Sequence, residues 1–140
     1  MRVYGGADPS RAADRVGSVA FNIEGLPHAL AAAILSDEWG IGTRSGCFCA
    51  HPYVKALLEI GAEAAAALED RIIQGDRGDV PGMVRASFGL SNSPEDARAL
   101  VDAVRQVAEG RYAAGYTLDA AHGEWRHAGA GADFNGYFQA

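Results

Sequence analysis

The feature that most constrains the fold is an alternation of residue types in two short runs. In Val16 to Ile23, residues Val19, Phe21 and Ile23 fall on one side of an extended chain, and Ser18, Ala20 and Asn22 on the other. In Met83 to Phe88, residues Val84, Ala86 and Phe88 share one side, and Met83, Arg85 and Ser87 the other. Period-two patterning of this kind marks strands with one face in a core. It also places an arginine in mid-strand on the far face. A third, short strand is predicted at Ile41 to Arg44.

Helical patterns fill the gaps between these strands. Pro27 and Gly40 bracket a stripe of Leu30, Ala33, Ile34 and Leu35. Pro52 opens a second helix with Val54, Leu57 and Leu58 inside. Gly61 breaks or kinks it, and Ala62 to Gln74 continues it with Ala65, Leu68, Ile72 and Ile73 inward. Gly75 to Gly82 is a loop. Ser93-Pro94-Glu95-Asp96 is a helix start, with Ser93 as N-cap and acids in the first turn. Ala97, Leu100, Val101, Val104, Val107 and Ala108 follow at helical spacing until Gly110. Tyr116 to Leu118 and Glu124 to Arg126 form a terminal hairpin. The predicted fold class is α+β: two layers, a small, mainly antiparallel sheet with helices packed on one face. The other face is left free to meet a partner. Residues 1–15 read as a lead-in segment, and 127–140 as a loosely ordered tail.

A chain of 140 residues fits a single domain and can bury a core. Its net charge of −6 is spread along the chain, with no Lys/Arg cluster, so neither nucleic acid nor an anionic membrane is an expected partner. The longest apolar stretch, Ala62 to Leu68, contains Glu63 and is too short to cross a bilayer. Met1 to Arg15 lacks the apolar region of a signal peptide. The two cysteines are separated by one residue, a poor placement for a mutual disulfide. The expected compartment is the reducing cytoplasm.

The chemistry is concentrated in Arg44-Ser45-Gly46-Cys47-Phe48-Cys49-Ala50-His51-Pro52, which holds both cysteines. A thiol on a glycine-bearing turn, at the mouth of a helix and near arginines, is placed where a thiolate would be favoured. The competing reading makes both cysteines buried small hydrophobes. Cys47, Cys49 and His51 are all metal-ligand types, but the C-x2-C spacing and a nearby fourth ligand are missing. Arg85 and Arg44 each read either as a carboxylate clamp or as a solvated side chain. Lys55 is the only lysine, hence the only side chain able to form a Schiff base, and it reads as a solvated helix residue. The glycine-rich loop lacks the pattern of a phosphate cradle.

Three stretches taken together resemble a known family: Val19 to Gly25, Gly40 to Pro52, and Met83 to Asp96. They are similar to the C-terminal part of class V aminotransferases, above all cysteine desulfurases and selenocysteine lyases. There, a short strand runs into an R-x-G-x-x-C turn whose cysteine accepts sulfur. The Arg44 to Cys49 turn and the later Val84 to Gly89 run also resemble molybdenum cofactor sulfurases. The resemblance covers most of residues 1 to 126. It implies that Cys49 is the reactive cysteine, that Arg85 holds the substrate carboxylate, and that Arg44 is the arginine preceding the turn. Cys47 stands where desulfurases often carry histidine. The resemblance further implies pyridoxal phosphate, bound in a large N-terminal domain that is not in this chain, so the 140 residues alone are expected to be inactive. It implies as partners that large domain, an amino acid substrate, a sulfur-acceptor protein and a second copy in a full-length homodimer. An aminotransferase or epimerase with a bystander Cys49 is the alternative within enzymes. A non-catalytic sulfur-carrier or protein-interaction module is the alternative outside them.

Overall fold

The computed structural model describes residues 1–6, 8–14 and 16–129. Four strands make the main sheet: β1 (Arg2–Tyr4), β2 (Ser18–Asn22), β3 (Arg44–Gly46) and β4 (Met83–Ser87). Their order is β1-β2-β4-β3, and every neighbouring pair is antiparallel. The helices are α1 (His28–Trp39), α2 (His51–Leu57), α3 (Ala62–Ile73) and α4 (Pro94–Ala108), with a 3-10 helix over Pro9–Asp14. Strands β5 (Tyr116–Asp119) and β6 (Glu124–His127) form the separate hairpin. This is the α+β class expected from the alternation.

The main core lies between the sheet and two helices. Phe21, Val84 and Ala86 meet Ile34 and Leu35 of α1 and Val104 and Val107 of α4. Trp125 and Tyr116 of the hairpin pack against the same cluster. Period two sends Met83 to the opposite face, where it packs with Tyr4 and Val54 of α2. The far face is therefore not bare, because α2 covers part of it. Arg2–Tyr4 lies within the expected lead-in segment. These residues form an edge strand, with Val3 against the first cluster and Tyr4 in the second. Of the expected tail, residues 127–129 end the hairpin, and 130–140 lie outside the described residues.

Two apolar stripes extend beyond the core. In α3 no residue is buried, and Ile73 is 82 % exposed. In α4 the inner side is buried at Ala103, Val104 and Val107, whereas Val101 is 54 % exposed. Ala97, Leu100 and Val101 instead line an open apolar groove beside Val3, Val19 and Phe88.

The start of α4 is closed by a capping box. The Ser93 hydroxyl accepts from the Asp96 backbone N–H at 3.3 Å, and the Asp96 carboxylate accepts from the Ser93 N–H at 2.7 Å. Both bonds satisfy amides that lack helical partners. Ser93→Ala is expected to cost about 1 kcal/mol. Urea unfolding would show a lower midpoint at an unchanged slope; an unchanged midpoint would refute the role.

Candidate active site

β3 pairs residue for residue with the middle of β4: Arg44 with Arg85, Ser45 with Val84, Gly46 with Met83. Directly opposed residues share a face, so the two arginines stand side by side. Like charges in that position repel. Among the described residues, neither is in an ion pair. Arg44 is exposed and Arg85 half-buried. The Arg85 Nε is buried without a hydrogen-bond acceptor, a state that costs on the order of 1–3 kcal/mol. Two unneutralised guanidinium groups on one face suit an anion, and a carboxylate matches their fork geometry.

The chain leaves β3 through Gly46, at φ 108°, into a turn closed by the Ala50 N–H donating to the Cys47 carbonyl at 2.8 Å. Its two central residues, Phe48 (φ 53°) and Cys49 (φ 62°), are left-handed without being glycine. Each such residue carries a cost of about 1–2 kcal/mol. The turn sets the two thiols in different surroundings. Cys47 is half-buried and its S–H donates to the Pro81 carbonyl at 3.4 Å. Burial pushes its pKa up, partly offset by the Lys55 charge. Cys49 is exposed. The side chain free to meet a reactant is thus the one the family resemblance singles out, and Cys47 is held as a neutral thiol.

Phe48 is the residue that the sequence reading missed. Its ring packs against the Tyr4, Val54 and Met83 cluster, and the Arg85 guanidinium carbon lies 5.0 Å over its centroid. This is cation–π distance. No sequence signal marks a phenylalanine for a left-handed turn.

Gly82 allows β3 and β4 to close up here. A Cβ at Gly82 would lie 2.7 Å from the Gly46 Cα and 2.7 Å from the His28 Nε2. His28 sits behind the turn, with Nε2 2.8 Å from the Val80 carbonyl and Nδ1 buried without a partner. Desolvation lowers its pKa from the ordinary 6.5, opposed by the Val80 carbonyl and the Asp79 charge. A depressed folded-state pKa means the unfolded chain binds the proton more readily. The His28 contribution is therefore complete above about pH 6.5 and lost as pH falls through the lower folded value. His28→Gln is expected to flatten stability across that acidic window, as read by thermal melts at several pH values. An unchanged pH profile would count against this.

Among the described residues, no group of three His, Cys, Asp or Glu side chains is placed to hold a metal ion, and Cys47 is turned to Pro81. No helix among them is long and apolar enough to cross a membrane.

Residues 1–100 match the family described as aminotransferase class-V, a span that includes Arg44, Cys49 and Arg85. The chain belongs to the class-V aminotransferase family. It is also 34 % identical over 110 residues to a probable cysteine desulfurase of Halalkalibacterium halodurans. That match covers 78 % of this chain and 20 % of the relative, so the chain spans about a fifth of that protein's length. No solved structure matches. The class-V aminotransferase family works with pyridoxal phosphate. The described residues do not form a site for it. The single lysine, Lys55, is ion-paired to Glu69 at 2.9 Å and joins α2 to α3. It lines a cleft of about 290 Å³ with Leu68, Ile72 and Pro81, and no glycine is among the described residues lining that cleft.

Proposed function

We propose that this chain is the small C-terminal domain of a longer pyridoxal phosphate enzyme that takes sulfur from an amino acid in the manner of a cysteine desulfurase. One observation carries the reading. An exposed thiol, Cys49, stands on a strained turn that touches Arg85, and Arg85 stands beside Arg44 with neither cation neutralised. Arg85, with Arg44, binds the carboxylate of the substrate by paired hydrogen bonds. Cys49, as thiolate, forms a bond to the substrate sulfur while the carbon–sulfur bond breaks; the bonding pair leaves with the substrate carbon, which takes up a proton and departs as the desulfurated amino acid, and a persulfide stays on the protein. Pyridoxal phosphate, which the rest of the longer protein would hold, would supply the electron sink for such chemistry. Cys47, hydrogen-bonded to Pro81, takes no part in the transfer. The domain acts with the large domain of the same protein, in a homodimer, and passes sulfur to an acceptor protein.

The test is peptide mapping of the longer protein after incubation with pyridoxal phosphate and cysteine. A persulfide on Cys49, and none on Cys47, is expected. Turnover with Cys49 never sulfurated would sink the desulfurase reading and leave a transaminase or epimerase in its place.

A further inference from the structure

We propose that Phe48 is a positioning residue: its ring, set under the Arg85 guanidinium, ties the conformation of the Cys49 turn to the carboxylate-binding strand. The inference rests on the roles proposed above for Cys49 and Arg85, but the contact itself is independent of them.

Three observations meet at this residue. Phe48 holds a left-handed backbone with φ 53°, and so does its neighbour Cys49 with φ 62°. A strained backbone persists only where surrounding contacts hold it. The turn has one closing backbone hydrogen bond, Ala50 to Cys47. Cys47 is tied to the Pro81 carbonyl, and the Phe48 ring adds a restraint at the turn's centre through the Tyr4, Val54 and Met83 cluster and the cation of Arg85 at 5.0 Å. From the arginine side, the charge has no acidic partner among the described residues, and its Nε is buried without an acceptor. The aromatic ring is what it has instead. A cation–π pair is electrostatic, and it strengthens when desolvated. Leucine at position 48 would fill the same apolar space but offer the cation nothing. The ring is therefore required for its quadrupole, beyond its bulk. Because Phe48 and Cys49 are consecutive, the peptide that sets the thiol's direction is fixed by a contact to Arg85. The sulfur acceptor and the carboxylate holder are thereby kept at one separation.

The test is amide hydrogen exchange of the Ala50 N–H, which closes the turn, measured on the 140-residue chain without cofactor or substrate. Exchange at this amide is expected to speed up roughly threefold to tenfold in Phe48→Leu and by a similar factor in Arg85→Met. The double variant is expected to exchange no faster than either single one. Phe48→Tyr and Arg85→Lys, which keep the ring and the cation, are expected to restore protection. The Val84 amide, deep in the sheet, reports whether each variant is folded. If Phe48→Leu does not fold, the comparison of Arg85→Met with Arg85→Lys on the Phe48 background decides the matter. Equal protection in Phe48→Leu and the parent, or additive effects in the double variant, would overturn the proposal. No sulfur chemistry enters this experiment, so it fails or succeeds separately from the desulfurase reading.

Discussion

Cys49→Ser in the longer enzyme is expected to lower sulfide release from cysteine by a factor on the order of 10³ or more. The loss should fall on kcat, with KM for cysteine little changed. Removing a nucleophile that acts covalently costs the whole covalent route, and residual activity comes only from the remaining groups. In the proposed roles KM is spared because the carboxylate would still be held by Arg85 and Arg44, which stand on neighbouring strands. Cys47→Ser is the matched control. Serine keeps a donor for the Pro81 carbonyl that the Cys47 thiol now serves, so activity should stay within about threefold. Steady-state assays of the three proteins side by side give the answer. A Cys49→Ser enzyme with parental kcat would overturn the assignment of this thiol.

The largest expected effect on stability is in the layer between sheet and helices. Ile34→Ala is expected to cost about 3 kcal/mol, from lost transfer energy and the cavity left behind. Ile34 is fully buried, and it packs in the cluster that joins α1, α4, β2 and β4. Collapse around the void is resisted from both layers. For a chain of this length the loss corresponds to a drop of about 10 °C in melting temperature. Urea unfolding and calorimetry should agree on it. A cost below about 1 kcal/mol would mean that Ile34 is not at the centre of the core.

What the sequence disclosed was what is local in the chain. The α4 start was legible because Ser93, Pro94 and Asp96 carry its capping within four residues. The faces of β2 and β4 were legible because alternation is a local property. The third strand was placed at Ile41 to Arg44 but lies at Arg44–Gly46, because its register is set by pairing with β4. The inward stripe read for α3 fails at Ile73, which meets no partner among the described residues. At the site, Arg44, Cys49 and Arg85 were each marked, and their juxtaposition required the strand order. The difference between the two thiols depends on Pro81, 34 residues beyond Cys47. Neither that contact nor the left-handed Phe48 leaves a trace in residue spacing.

The strand order β1-β2-β4-β3 also governs when the molecule can assemble as it leaves the ribosome. β4 is the last of the four strands in the chain, yet it lies between β2 and β3. Before Met83 to Ser87 emerges, β2 has only β1 beside it and β3 has no partner strand. Two edges with unpaired amides and carbonyls then stand open on the nascent chain, a state prone to mispairing and aggregation. The cysteine turn hangs from β3, so the exposed Cys49 thiol and the paired arginines are brought together only with the insertion of that final strand. A chain stalled before residue 83 would carry Arg44 and Cys49 without Arg85 or the strand that pairs with β3.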